Sequence, residues 1–298
     1  MILSNGKKNH TLKNGCYFLK TIGKRLSIDE IALSKGELYT IVTNKKTKGK
    51  AGSIVAIISG TKAEHIIDKL LKIPSSKRNK VKEITLDMAN AIKLIVKKSF
   101  PKAVQVTDRF HVQKLALDAL QDIRIKHRWE AIDKENYQIK EAKNNNKIYQ
   151  PHTFTNGDTL KQLLARSRYI LYKSKTDWTQ KQQLRAEILF EQYPDIKKAY
   201  GLSQKLRNLF NNKSISKEVA YTRLAQWFKE VELSGFKAFN ILANSVSINY
   251  KSILNYFDNR STNAATESFN AKIKTFRTQF RGLRNVEFFL FRLTQIFA

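Results

Sequence analysis

The sequence predicts an α/β protein: a mixed five-stranded sheet, a large all-helical insertion, and a closing pair of helices. Three observations predict it. Strand-like and helical segments follow one another between residues 26 and 108 in the order βββαβαβ. From residue 112 to about 259 the helical period runs almost unbroken. A separate amphipathic segment then occupies residues 263–281. The chain divides accordingly into an unassigned segment (1–25), the first part of an α/β core (26–111), a helical insertion (112–262) and C-terminal helices of the core (263–298).

Each element has a local cause. Leu26-Ser27-Ile28-Asp29 alternates apolar and polar residues, as a half-buried strand does. Residues 37–43 are rich in β-branched and aromatic side chains, and residues 53–59 form a nearly continuous apolar run. Turn-forming residues lie at Lys35-Gly36 and across 45–52, so these three strands read as an antiparallel meander. Ile66, Ile67, Leu70 and Leu71 recur at helical spacing within residues 61–73, with Thr61 as a cap. A fourth strand at 82–87, a helix at 89–100 closed by Pro101, and a fifth strand at 103–108 form strand–helix–strand units, whose strands pair in parallel. The helical stretch holds Trp129, Trp178 and Trp227, each read either as buried core or as part of a binding or assembly surface of the insertion. A short aromatic helix at 286–297 ends the chain.

Composition narrows the function. The 298 residues include 55 Lys and Arg against 25 Asp and Glu, a formal charge of +30. The cations are spread along the whole chain, and the partner that best offsets such self-repulsion is nucleic acid, through counterion release. No run of eighteen apolar residues occurs, so a membrane span is not expected. Cys16 is the only cysteine, and His10, His65, His127 and His152 are scattered, so a zinc site is not expected either. No glycine-rich phosphate loop supports ATP use.

Against this basic background the acids stand out. Asp29 lies on the first strand, Asp87 ends the fourth, and Glu267 lies near the start of the late helix. Two-metal phosphoryl transfer needs carboxylates that converge from such separate elements, and magnesium needs only a few of them because it keeps several waters. A turn-forming Asp or a solvated Glu is the plain alternative for each. On the late helix Phe269, Ile273, Phe276 and Phe280 make an apolar stripe, and Glu267, Asn270, Lys274, Arg277 and Arg281 fall on the adjacent one. Asp108-Arg109-Phe110-His111 follows the fifth strand. Asp108 and His111 either bind metal or brace the site, and spacing alone leaves Asp108 open as the second ligand.

With these residues in view, the chain resembles DDE transposases of bacterial insertion sequences, of the ISL-three type and its ISAon subgroup. Three segments carry the resemblance: Ser27-Ile28-Asp29-Glu30 with Leu33-Ser34-Lys35-Gly36; Thr85-Leu86-Asp87-Met88 running to Asp108-Arg109-Phe110-His111-Val112; and Thr262-Asn263 through Glu267-Ser268-Phe269-Asn270 to Arg281-Gly282. The resemblance implies an RNase H-like core interrupted by a helical insertion before the catalytic Glu, as in Mutator-like elements. It implies that Asp29, Asp87 and Glu267 are catalytic and hold two Mg2+ (or Mn2+) ions, with Asp108, His111 and Asn270 in support. Arg109, Lys272, Lys274, Arg277, Arg281 and Arg284 are the expected DNA contacts. It further implies double-stranded DNA as partner (transposon ends and target), a homo-oligomer on DNA, no membrane, and a bacterial, nucleoid-associated place in the cytoplasm. Relatives usually carry an N-terminal zinc-binding and helix–turn–helix region. About 26 residues precede the first strand here and lack its cysteines, which implies either truncation or a separate small DNA-binding subunit; the subgroup favours the subunit. Two other readings remain: an RNase H-like nuclease that cuts without joining, and a decayed transposase that only binds DNA.

Overall fold

The computed structural model describes residues 15–33, 37–279 and 286–298. Its central feature is a mixed sheet of six strands, one more than the sequence suggested. The strands are β1 (Cys16–Tyr17), β2 (Arg25–Ala32), β3 (Leu38–Asn44), β4 (Ile54–Ser59), β5 (Glu83–Leu86) and β6 (Val104–Thr107), in the spatial order β1-β4-β3-β2-β5-β6. The extra strand is β1, which pairs antiparallel with β4 through Cys16 and Ile57. Two residues are too few to show a period, so sequence pattern could not reveal it.

Strands β2, β3 and β4 form the expected antiparallel meander, and β2, β5 and β6 pair in parallel. The β3–β4 turn depends on glycine: Gly49 has φ +76°, and a Cβ there would sit 3.4 Å from the Phe269 ring.

The helices are α1 (Ala63–Leu71), α2 (Ser75–Arg78), α3 (Asn90–Ser99), α4 (Arg109–Asn144), α5 (Leu160–Arg166), α6 (Arg168–Leu171), α7 (Gln180–Gln192), α8 (Pro194–Asn211), α9 (Lys217–Ser234), α10 (Lys237–Ile248), α11 (Tyr250–Leu254), α12 (Tyr256–Asn259), α13 (Ala264–Gln279) and α14 (Val286–Phe297). The chain separates into two compact units. One contains Met1–His111 and Asn249–Ala298 as far as these are described; the other is Val112–Ile248.

In the first unit, the alternation along β2 sends its residues to two different cores. Leu26 and Ile28 join Ile84, Leu86 and residues of α1 and α3, including Ile66, Leu70, Ile92 and Val96. Ile31, with Ile41, Ile54 and Ile57, packs against Phe269 and Ile273 of α13 and Phe289, Leu290 and Leu293 of α14. Burying each such side chain stabilises by roughly 1.5–3 kcal/mol. The sheet is thus covered by helices on both faces, which fixes α13 against β2 and β3 and leaves the C-terminal ends of the parallel strands as the place where polar groups gather.

The second unit is entirely helical apart from loops and one isolated bridge, Thr153–Thr159. It contains an ion-pair cluster in which the buried Asp158 accepts from Arg185 Nε at 2.6 Å and from the half-exposed Arg166. The three tryptophans do not share one role. Trp227 is buried and donates to Leu202 O, and Trp178 packs on Phe190 and Tyr200. Trp129 is 62% exposed. No helix among the described residues is long and apolar enough to cross a membrane.

A candidate active site at the ends of the parallel strands

The strand register brings three acids side by side. Ser27 pairs with Thr85, so two residues further on Asp29 stands level with Asp87. Leu86 pairs with Thr107, so the next step sets Asp87 level with Asp108, and Asp108 N–H donates to Leu86 O at 2.9 Å. Because side chains alternate, Asp29 shares the face of Ser27 and Ile31, the face that α13 covers. Helix α13 then supplies Glu267 and Asn270 from above.

Each acid is held differently. Asp29 is half-buried; its Oδ1 accepts from Glu30 N–H at 2.8 Å and its Oδ2 from Asn270 Nδ2 at 2.6 Å. Asp87 accepts from Ala89 N–H at 2.9 Å, a turn that leads into α3. The strand-end turn of the plain alternative therefore exists, and it leaves the second carboxylate oxygen of Asp87 available. Asp108 is fully buried; its Oδ1 accepts weakly from Phe110 N–H at 3.4 Å. Glu267 is exposed at the first turn of α13.

The electrostatics show that these groups sense one another. Burial raises the pKa of Asp29, Asp87 adds to the rise, and the Glu30 N–H, His111 and Asn270 oppose it. Glu267, though exposed, is partly desolvated by its neighbours, which raises its pKa, with Asp108 and Asp29 adding to the rise and His111 opposing. Burial also raises Asp108, against His111, the nearby backbone of Phe110 and Asn263, and Lys45. In a chain of net charge +30, this is a local excess of negative charge.

Buried acceptors lack donors at the same place. Asp108 Oδ2, Asn263 Oδ1 and Asn270 Oδ1 are buried without a well-formed hydrogen bond. Oxygen acceptors without donors, beside carboxylates that repel one another, form the donor set that suits a hard divalent cation. As the side chains stand, no three His, Cys, Asp or Glu among the described residues converge tightly enough to enclose an ion. The fit is therefore one of donor chemistry and alignment: Asp29, Asp87 and Glu267 would hold the ions, and a hard divalent cation keeps several waters and needs few protein oxygens. A cleft of about 870 Å³ lined by Tyr39, Gly60, His65 and Glu287 contains none of these acids. The acids instead gather at the C-terminal ends of the parallel strands.

The expected cations divide. Lys272 and Lys274 are exposed on α13. Arg277 lies over the Phe289 ring, 5.2 Å from its centroid, and Arg109 lies 5.0 Å from the Phe110 centroid. Arg281 and Arg284 lie outside the described residues. Sequence reading missed a buried hydroxyl trio: Ser27 Oγ and Thr43 Oγ1 are 2.8 Å apart, and both meet Thr266 Oγ1. The period-two alternation that pointed to Asp29 also places Ser27 on its face, and so was the available signal.

The sequence profile of the ISL3-type DDE transposases, described simply as "Transposase", matches residues 26–293. The chain belongs to this family. Among curated relatives, it is 22% identical over 275 residues to the transposase for insertion sequence element IS1001 of Bordetella parapertussis, covering 91% of this chain and 60% of that protein. It is 24% identical over 255 residues to the transposase for insertion sequence element IS1557 of Mycobacterium tuberculosis, covering 84% and 55%. The chain thus spans 55–60% of the length of these relatives. No solved structure matches it.

Proposed function

We propose that this chain carries the phosphoryl-transfer chemistry of an insertion-sequence transposase, cleaving DNA at element ends and joining the freed 3′-hydroxyl to target DNA. One observation carries the reading: Asp29, Asp87 and Asp108 align in register beneath Glu267, in a member of a DDE transposase family. The mixed sheet with its late helix is read as an RNase H-like core, with the helical unit inserted before the helix that carries Glu267. The ISAon subgroup and a separate small DNA-binding subunit belong to the same reading, as does assembly of several copies on DNA.

Asp29, Asp87 and Glu267 would hold two Mg2+ or Mn2+ ions, whose bound charge acidifies the attacking water or hydroxyl and takes up charge on the leaving oxygen. The chain's own groups do the rest. Asn270 orients the Asp29 carboxylate through its 2.6 Å hydrogen bond. Asp108 and His111 set the charge around Glu267. Lys272 and Lys274 place cations along α13 where a phosphate backbone would pass. Asp108 stays the alternative second ligand, because it stands level with Asp87 on the neighbouring parallel strand and its charge acts on Glu267.

The test is a cleavage and strand-transfer assay with Mg2+ on duplexes bearing the element's own termini. The parent should release and join 3′-hydroxyl ends, while Asp29→Ala, Asp87→Ala and Glu267→Ala should abolish both steps. Cleavage without joining would favour a structure-specific nuclease. DNA binding with no metal-dependent step in the parent would leave a DNA-binding protein only.

A further inference from the structure

Behind the row of acids lies a second polar cluster that the reaction does not use directly. Lys45 follows β3, and its side chain is 13% exposed. Its Nζ donates to Thr85 Oγ1 and Ser261 Oγ, each at 2.5 Å, and stands 3.9 Å from Glu83 Oε1. Glu83 is itself buried and accepts from Ser261 Oγ and from Asn259 Nδ2 at 3.3 Å. Thr85 and Glu83 lie two and four residues before Asp87 on β5, so they share its face. Ser261 lies just before the turn in which Asn263 O accepts from Thr266 and Glu267 N–H at 2.7 and 2.8 Å.

Lys45 therefore joins three chain segments at one ammonium: the end of β3, the strand that leads to Asp87, and the segment that leads to Glu267. A buried ammonium is costly unless such partners surround it. Burial pulls its pKa down to about 8, while the charges of Glu83 and Asp108 act in the opposite direction. The charge is thus kept in a place where a neutral side chain would pack at less cost, and geometry explains what it does there.

We propose that Lys45, through Ser261 and Glu83, is a positioning residue that sets the start of α13 and so holds Glu267 over Asp29 and Asp87. The proposal rests on the metal reading of those acids. Hydrogen bonds behind metal ligands fix the ligands' orientation, and their loss typically weakens metal binding by about ten- to hundredfold.

The experiment measures Mn2+ alone binding to the full chain, by the loss of the free-ion electron paramagnetic resonance signal, with a thermal melt of each variant alongside. Lys45→Met should weaken Mn2+ binding by about tenfold or more, whereas Lys45→Arg, which keeps the charge and the donors, should restore most of it. Ser261→Ala cuts the link to α13 while leaving Lys45 beside Glu83, and should weaken Mn2+ binding in the same direction; it decides the matter if Lys45→Met fails to fold. If Glu267→Ala weakens Mn2+ binding while folded Lys45→Met and Ser261→Ala bind as the parent does, the positioning role is overturned and the metal reading stands. If Glu267→Ala also binds as the parent does, the metal reading fails and takes this proposal with it.

Discussion

Asn270 on α13 donates from Nδ2 to Asp29 Oδ2 on β2 across 2.6 Å. The two residues are 241 positions apart, and their bond joins the last long helix to the first long strand at the acids themselves. It makes the orientation of Asp29 depend on how α13 is seated.

Replacing Asn270 with alanine removes that donor and leaves the Asp29 carboxylate held only by the Glu30 N–H. Stability should fall by about 1–2 kcal/mol, in line with a hydrogen bond to a charged group that is partly open to water. Metal-dependent cleavage should fall further, by about ten- to hundredfold. Rates and urea midpoints measured on the same preparation check this: a rate loss no larger than the lost stability would imply that Asn270 does not orient Asp29.

The hydroxyl trio under Glu267 gives a second expectation. Thr266→Val keeps the shape of the side chain but withdraws one hydroxyl, leaving Ser27 and Thr43 paired at 2.8 Å. The expected loss is about 1–2 kcal/mol, seen as a lower urea midpoint with an unchanged slope. Thr266→Ser should restore it. A midpoint equal to the parent's would show that the trio contributes nothing to the seating of α13.

The raised carboxyl of Asp29 predicts a pH dependence. Its folded-state pKa lies above the ordinary value, with burial as the leading cause. The folded protein therefore binds more protons than the unfolded chain, and Asp29 favours folding only below the ordinary carboxylate range. That contribution is lost as pH rises through the folded-state pKa. Without divalent ions, Asp29→Asn should match the parent in acid and become the more stable of the two as pH rises towards neutrality. Melting temperatures of both proteins across that range test the sign. Adding Mg2+ at neutral pH should raise the parent's melting temperature and not the variant's.

The helical unit has its own electrostatic keystone. Burial pushes the Asp158 carboxyl up, but hydrogen bonds from Arg185 and Arg166 outweigh it and hold the pKa below the usual range. Its stabilisation is therefore present above the unfolded-state pKa and is lost as pH falls through the folded one. Asp158→Ala leaves two guanidinium groups facing each other and should cost about 2–4 kcal/mol, less than a fully enclosed pair because Arg166 is half exposed. Helical circular dichroism followed through urea would record an early loss of signal in the variant. A transition that coincides with the parent's would rule this out.

Much of this molecule could be read from its pattern. Alternation in Leu26-Ser27-Ile28-Asp29 marked β2 and put Leu26 and Asp29 on opposite faces, as observed. The stripe of Phe269 and Ile273 marked the buried flank of α13, and both are buried. Its neighbour Asn270 lies on the adjacent flank and reaches Asp29. Strand β1 escaped notice because a two-residue strand is made by its partner β4 and not by its own sequence. Lys45 escaped for another reason: as one of 55 basic residues it carries no local mark, and only the fold buries it. Arg277, expected as a DNA contact, also lies over the Phe289 ring, a cation–aromatic contact that only the packing of α14 on α13 creates.

The sequence by itself determined the longer strands and the helices, the sign of the protein's charge, and which acids stand in distinctive surroundings. These are local properties, fixed by side-chain period and composition. Tertiary structure alone decided that Asp29, Asp87 and Asp108 stand level, that Glu267 lies above them, and that Lys45 and Thr266 hold its helix there. Register and packing are relations between distant segments, and no single stretch of chain encodes them; they are settled only when the two faces of one sheet are covered at once.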